Sequence, residues 1–394
     1  MDREASSEGR FLAALAVGAA PETLRALWGG LEVSRRTQGI LPMAARAGLL
    51  PSLGRFAARY APADVATVKW VALGVAAEAR TRACLELLER VATRAEVRES
   101  TPVAIKGAGM TLAGYYEPGE RYSADADLVV PPESLPDWGR AAVRAGATCS
   151  VLACDGYEAA TISDGRAVVD LHVALAGEAG RLPGVGHGAL LASTLPPDPA
   201  HGIEGVRTPA PAAAREITVQ HFVFHHQGSE THGFRTLQDL ARLERDEPVA
   251  EELPALVWEG SSPAPATALL TRVAKRLKQG AGENDPECRM FLGLLLCALA
   301  GEEPTSPTYA EDVNRILNAE GDRGGVRSFR VLLRHLFPPP DRIRVRPQEP
   351  ILATALRYTA RPFVLALRYA ASRRKSHAAK TLLRWRRFLE AGHV

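Results

Sequence analysis

Residues 121–130 read Arg-Tyr-Ser-Ala-Asp-Ala-Asp-Leu-Val-Val, and this stretch decides the fold. Its second half predicts a β-strand, which Pro131-Pro132 would stop. Because side chains alternate along a strand, Asp125 and Asp127 are expected on one face of a sheet. The residues expected to enter a core on the other face are Ala126, Leu128 and Val130. Two adjacent carboxylates repel each other, so the pattern indicates a positive partner, with a divalent cation as the usual answer.

A short apolar run, Val103-Ala104-Ile105, precedes this strand and is followed directly by Lys106-Gly107. A strand that leads into a glycine and a helix lets backbone N–H groups approach a phosphate closely. We therefore expect Lys106 and Gly107 to bind the phosphates of a nucleotide. Arg121 is expected to pair with phosphate or with the carboxylates, and Ser123 to assist in the same loop.

A third carboxylate, Asp170, lies in another predicted strand, Val168-Val169-Asp170-Leu171-His172. Alternation places Asp170 and His172 on the same face. If this strand neighbours the one bearing Asp127, three carboxylates converge, as two-metal phosphoryl transfer requires. We expect Mg²⁺ or Mn²⁺ on Asp125, Asp127 and Asp170, with Asp170 nearest the acceptor as base or ligand.

The elements around these motifs predict an α+β fold, in which a small mixed sheet is flanked by helical regions. Residues 10–98 have helical spacing interrupted by prolines, and helical patterns return from about Pro209. Helices are predicted from Lys106 to Tyr116 and over 133–146. The further strands are predicted at 151–153, 158–163 and 167–173, with a turn at Asp164-Gly165 before the last. The predicted domains are a helical region at 1–98, a core at 99–208, a helical domain at 209–337 and a basic tail at 338–394.

Composition is typical of a globular protein, with 46% hydrophobic and 24% charged residues. The spacing of the five cysteines shows no paired motif, so we do not expect a zinc site. The first residues show no signal peptide and no apolar run reaches membrane-spanning length, so we expect a cytoplasmic protein without a transmembrane segment.

From Asp341 onward there are 13 Lys and Arg against three Asp and Glu. This basic tail either contacts an anionic membrane or RNA, or packs on the acidic body, which is slightly favoured.

At these motifs the chain resembles the uncharacterised nucleotidyltransferase family of the polymerase-beta-like superfamily. The matching stretches are 104–109, 121–130 and 169–172, with a fourth around His225 and 235–243. The resemblance implies a nucleotidyltransferase core between helices, with Asp125 and Asp127 as metal ligands and Asp170 as the third acidic residue. It also places Lys106 near the phosphates. Because it reaches His225 and Asp239, these residues, with His172, are expected to shape the nucleotide or acceptor pocket.

The function expected from these residues is metal-dependent transfer of a nucleoside monophosphate from an NTP to an unknown acceptor. ATP is the favoured nucleotide and a small molecule or peptide the favoured acceptor. One alternative is a toxin-like enzyme that modifies tRNA or a protein, which the basic tail supports modestly. The other is a catalytically inactive nucleotide-binding scaffold, although such a protein has no need to retain three carboxylates.

Overall fold

A computed structural model describes residues 7–31, 39–61, 65–151, 158–176, 183–225, 230–244, 254–258, 263–280, 285–289 and 291–292. The chain divides into two compact units, one of Met1–Ala300 with Phe388–Val394 and one of Gly301–Arg387. The predicted basic tail at 338–394 lies outside the described residues.

The first part of the chain is helical, as its apolar spacing predicts. Its helices are α1 (Ser7–Val17), α2 (Pro21–Gly29), α3 (Ile40–Arg46), α4 (Leu50–Tyr60) and α5 (Val65–Ala92). Prolines stand in the first turns of α2 and α4, where the missing N–H removes no intrahelical hydrogen bond. Phe11, Trp28, Phe56 and Trp70 form a chain of ring contacts that joins α1, α2, α4 and α5, with centroids 5.1–5.6 Å apart.

A mixed five-stranded sheet follows, with helices between its strands. The elements are β1 (Val103–Ile105), α6 (Lys106–Leu112), β2 (Ala126–Val129), α7 (Leu135–Arg144), β3 (Thr148–Val151), β4 (Glu158–Ser163) and β5 (Val168–His172). The strand order is β1-β2-β5-β4-β3. Only the β2–β5 pairing within this sheet is parallel, and it places the two motif-bearing strands side by side.

One face of this sheet forms the main core. Alternate residues of β2 and β5 point into it, namely Ala126, Leu128, Val169 and Leu171. They pack against Leu87 and Val91 of α5 and against Trp138 of α7, all fully buried. The predicted alternation is confirmed, because the apolar side chains face this core and leave the carboxylates on the opposite face.

The second half of this unit returns to helices after short two-stranded sheets. These elements are β6 (Ala174–Ala176), β7 (Pro183–Gly186), α8 (His187–Leu191), β8 (Thr194–Leu195), β9 (Thr208–Pro209), α9 (Pro211–Gln220), a π-helical turn (His221–His225), α10 (Glu230–Leu243) and α11 (Ala264–Lys278). Helix α1 packs against α10 and α11, across the boundaries predicted near residues 98 and 208. Those domain boundaries stay predictions. Among the described residues, no helix is both long and apolar enough to cross a membrane.

The α+β fold class is confirmed, and several element bounds are corrected. Asp125 lies one residue before β2, so only Asp127 of the acidic pair is within the strand. The helix expected to reach Tyr116 ends at Leu112, shortly before Gly114 adopts φ +78°. The helix expected from Glu133 begins at Leu135 after a 3₁₀ turn. The strand expected at 151–153 is β3, which ends at Val151, and residues 152–157 lie outside the described part.

Candidate functional site

Strand pairing brings the three predicted carboxylates to one cavity. Asp127 of β2 is in register with Asp170 of β5, and the two strands are parallel neighbours. Asp125 lies two residues before Asp127. All three line a cavity of about 330 Å³ between the sheet and the helices α9 and α10. The predicted convergence of the carboxylates is therefore confirmed as geometry, and for Asp127 and Asp170 it follows from alternation together with the parallel pairing.

Lys106 lies at the junction between β1 and α6 in a backbone conformation that non-glycine residues rarely adopt. Its φ is +54°, in the left-handed region where a non-glycine residue is strained by about 1–3 kcal/mol. Its Nζ donates a hydrogen bond of 2.7 Å to Oδ1 of Asp127. The ammonium predicted to meet a triphosphate thus lies, in this structure, against the central carboxylate.

His172, predicted to shape the pocket, is buried and lies beside the same carboxylate. Its Nε2 is 2.9 Å from Oδ1 of Asp127. Burial alone would raise the pKa of Asp127, but the Lys106 ammonium and the hydrogen bond and charge of His172 hold that pKa well below its usual range. Asp127 is therefore the ionised centre of the site.

The pKa values of the other two carboxylates are shifted in the opposite direction. Burial, and next the charge of Asp127, raise the pKa of Asp125 to about 6, although Lys106 opposes the shift. Burial also raises the pKa of Asp170, against a hydrogen bond of 2.7 Å that the Thr161 hydroxyl donates to its Oδ1. Gathering three carboxylates in one cavity disfavours ionising all of them, which is the electrostatic condition that a bound cation relieves.

Arg121 also lines the cavity, and its partner is a carboxylate outside the acidic cluster. Its Nε donates to Oδ1 of Asp239 over 2.7 Å and its Nη2 donates to Oδ2 over 2.8 Å. The hydroxyl of Tyr116 donates to Oδ1 of Asp239 over 3.0 Å. This two-bond pairing ties the loop before β2 to α10 and makes Asp239 an anchor as well as a predicted pocket residue.

Two further contacts fix the loop that carries Ser123. The backbone N–H of Ser123 donates to Oγ1 of Thr81 in α5 over 2.9 Å, and that hydroxyl donates to the Ser123 carbonyl over 3.1 Å. On the other side the loop lies directly against Gly107. A Cβ on Gly107 would be 2.2 Å from Nη1 of Arg121 and 2.7 Å from Oγ of Ser123. Gly107 thus permits close packing, while its predicted phosphate contact stays a prediction.

The helical side of the cavity contains five residues that were not expected there from the sequence. They are Thr218, His221, His232, Arg235 and Thr236. The rings of His221 and His232 meet edge to face with centroids 5.5 Å apart. His225, predicted for this pocket, lies in the π-helical turn, and its side chain is outside the described part of the structure. Arg235 precedes Asp239 by four residues on α10, and that helical spacing is the signal that could have identified it.

The chemistry of the site fits a divalent cation only with help from a substrate. Within the described ranges, no group of three or more His, Cys, Asp or Glu side chains could hold a metal ion alone. The cavity nevertheless supplies hard carboxylate oxygens from Asp125, Asp127 and Asp170, two of which have raised pKa values. Mg²⁺ commonly takes one or two carboxylates and completes its shell with water and substrate phosphates. These residues are therefore the candidate ligands.

Comparison with known proteins agrees with this arrangement. Searches among curated proteins and among solved structures return no match. A family model described as "Uncharacterised nucleotidyltransferase" matches residues 34–259, which is more than half of the chain and includes every part of the cavity named above. The chain therefore belongs to the uncharacterised nucleotidyltransferase family, and this membership supports a role in nucleotidyl transfer with a nucleotide as substrate.

Proposed function

We propose that the protein transfers a nucleoside monophosphate from an NTP to an acceptor, using Asp125, Asp127 and Asp170. One observation carries the proposal: Asp127 and Asp170 are in register on parallel neighbouring strands and, with Asp125, line one cavity of about 330 Å³. A cavity of this size is within the range that accepts a small molecule or cofactor. ATP is the favoured nucleotide, and a small molecule or peptide is the favoured acceptor.

The proposed reaction exchanges one phosphorus–oxygen bond for another bond to the same phosphorus. A nucleophile of the acceptor, such as a hydroxyl, attacks the α-phosphorus of the NTP. The bond from the α-phosphorus to the oxygen that bridges it to the β-phosphorus breaks, and that oxygen keeps the electron pair. The products are a nucleotidylated acceptor and pyrophosphate. No redox change occurs, and the acceptor proton is the group that the protein must remove.

We assign the removal of that proton to Asp170. Burial raises the pKa of this carboxyl above its ordinary value, which increases its basicity. The hydroxyl of Thr161 donates to Oδ1 of Asp170 over 2.7 Å and so orients the carboxyl. General bases of this kind contribute about 100- to 10,000-fold to rate.

Asp127 and Asp125 are assigned to the nucleotide side of the site. A bound Mg²⁺ or Mn²⁺ would supply charge neutralisation for the triphosphate and the leaving pyrophosphate, held by Asp125, Asp127 and Asp170. Both hydrogen bonds that the described residues make to Asp127 reach Oδ1. Its Oδ2 is therefore the carboxylate oxygen that we assign to binding the metal ion. Lys106 keeps Asp127 ionised through its contact at 2.7 Å and adds positive charge near the expected phosphates.

The helical wall is where we place the acceptor. Thr218 and His221 lie at the end of α9 and the start of the π-helical turn, and both line the same cavity as the carboxylates. π-helical turns occur frequently at functional sites. An acceptor bound between this wall and β5 would lie beside Asp170, as the assignment of the base requires.

The test compares acid-to-amide variants inside and outside the cavity. The wild-type protein is first tested for NTP binding with Mg²⁺ by calorimetry, and then for transfer of label from α-labelled NTP to candidate acceptors. Asp127→Asn and Asp170→Asn should each lower transfer at least about 100-fold. Asp137→Asn, at a carboxylate paired with Arg140 on the surface of α7, should leave it unchanged. Wild-type protein that binds no NTP, or equal transfer by Asp127→Asn, would contradict the proposal.

A further inference from the structure

Among the described residues that line the cavity, Tyr122 is the only phenylalanine, tyrosine or tryptophan. The other rings there are the imidazoles of His172, His221 and His232, and the remaining side chains are charged, polar or small. Tyr122 is also part-exposed, whereas Asp127 at the centre of the site is buried. The cavity therefore presents one broad apolar ring face in otherwise polar surroundings.

The backbone on both sides of Tyr122 is held in place. Arg121 donates to both oxygens of Asp239 over 2.7 and 2.8 Å. The backbone N–H of Ser123 donates to the Thr81 hydroxyl over 2.9 Å, and that hydroxyl donates back to the Ser123 carbonyl over 3.1 Å. The loop therefore loses little conformational freedom when a ligand packs against its ring, which lowers the entropic cost of binding.

The side chain of Tyr122 is not used by the surrounding structure. In the part of the chain that the structure describes, its hydroxyl makes no hydrogen bond and its ring makes no aromatic or cation–π contact. Tyr116, six residues earlier, differs in both respects, because its hydroxyl donates to Asp239 over 3.0 Å and the Arg242 guanidinium lies 5.2 Å from its ring centroid. Tyr116 is therefore structural, whereas the Tyr122 ring is available to a ligand.

The Tyr122 side chain extends toward the helical wall of the cavity. Burial and the Arg121 charge lower the pKa of Arg235 to about 10, and Asp239, Asp125 and Tyr122 oppose that shift. The phenol oxygen is the only side-chain atom of Tyr122 that can carry charge, so this oxygen lies near the Arg235 guanidinium on α10. The ring therefore reaches from the loop before β2 toward the opposite wall.

We propose that Tyr122 binds the base of the nucleotide by stacking, an inference that rests on the proposed nucleotidyl transfer. Every base has a π-face that can stack on an aromatic side chain, and the polar remainder of the cavity suits the ribose and the phosphates. Three residues of chain separate Tyr122 from Asp125, so their Cα atoms are at most about 11 Å apart. An NTP with its α-phosphate at the carboxylates carries its base one ribose further, within reach of this ring.

The test measures the binding of ATP and of inorganic tripolyphosphate to the full chain in magnesium buffer by calorimetry. Tyr122→Ala should weaken ATP about 5- to 150-fold, as the loss of one base–aromatic stack does, and leave tripolyphosphate unchanged. Tyr122→Phe, which keeps the ring and removes the hydroxyl, should bind ATP like the wild type. Tyr60→Ala removes a part-exposed tyrosine of α4 outside the cavity and should bind both probes like the wild type.

Tripolyphosphate has no base, so its retained binding shows that the Tyr122→Ala variant is folded and that the loss is specific to the nucleoside. If both probes weaken equally, Tyr122 is structural and the inference is wrong. The inference is also wrong if Tyr122→Phe loses as much ATP affinity as Tyr122→Ala, because the hydroxyl would then hold the ligand. Unchanged ATP affinity in Tyr122→Ala overturns this inference alone, whereas wild-type protein that binds no ATP overturns the proposed function with it.

Discussion

Two ion pairs line the same cavity, one buried and one part-buried, and they differ in how many carboxylate oxygens they leave available. Arg121 and Asp239 are joined through both carboxylate oxygens, and Tyr116 donates a further hydrogen bond to Asp239. Lys106 and His172 both contact a single oxygen of Asp127. Both carboxylate oxygens of Asp239 accept structural hydrogen bonds, whereas only Oδ1 of Asp127 is contacted by the described side chains. Burial and ion pairing alone therefore do not identify a catalytic carboxylate. The number of carboxylate oxygens that accept hydrogen bonds distinguishes a structural carboxylate such as Asp239 from a candidate metal ligand such as Asp127.

The largest stability effect is expected from Asp239→Asn. The change removes the counter-charge of Arg121 and leaves a buried cation poorly compensated, which costs about 3–5 kcal/mol. Urea denaturation of the variant should show a much lower midpoint than that of the wild type. Asp137→Asn, whose partner Arg140 is exposed, provides the matched control and should stay within about 0.5 kcal/mol. A small loss in Asp239→Asn would show that the anchor assignment is wrong.

Gly107→Ala should disturb the same anchor from the other side. The new Cβ would lie 2.2 Å from Nη1 of Arg121, so the guanidinium or the Ser123 loop must shift. We expect a loss of about 1–3 kcal/mol in the free energy of unfolding. Gly188 of α8 has no atom within 4 Å of a built Cβ, so Gly188→Ala should be neutral or slightly stabilising. Equal stabilities for the two variants would contradict the close packing at Gly107.

Asp125→Asn should produce the smallest effect, and one that depends on pH. The folded pKa of Asp125 is raised from 3.8 to about 6, so the folded state binds more protons than the unfolded state between these values. The free energy of unfolding of the wild type therefore falls as pH rises through this window. In metal-free buffer the asparagine variant should be more stable than the wild type above pH 6 by about 1–2 kcal/mol, because water at this part-exposed carboxyl screens part of the roughly 3 kcal/mol that the raised pKa corresponds to. The difference should shrink toward pH 4, and thermal unfolding across pH measures it.

Local sequence patterns predicted the carboxylate face well. The alternation around Asp127 and Asp170 required only a period of two, and it placed both side chains correctly once their strands were neighbours. The pairing of Arg121 with Asp239 joins residues 118 positions apart, and nothing local to either residue indicates it. Arg235 was missed although it lies four residues before Asp239, because its path also depends on a distant turn, where a Cβ on Gly48 would lie 2.9 Å from the Arg235 Cδ. The positive φ of Lys106 is likewise imposed by its surroundings, since lysine has no intrinsic preference for it.

The claim that Asp125, Asp127 and Asp170 support nucleotidyl rather than phosphoryl transfer is tested most directly by following two labels in parallel. The protein is incubated with Mg²⁺, candidate acceptors and ATP labelled at either the α- or the γ-phosphate. We predict that the α-label appears in the acceptor and the γ-label appears in pyrophosphate, with both signals lost in Asp127→Asn and retained in Asp137→Asn. A γ-label found in the acceptor, or released as inorganic phosphate at the same rate in Asp127→Asn, would contradict the account.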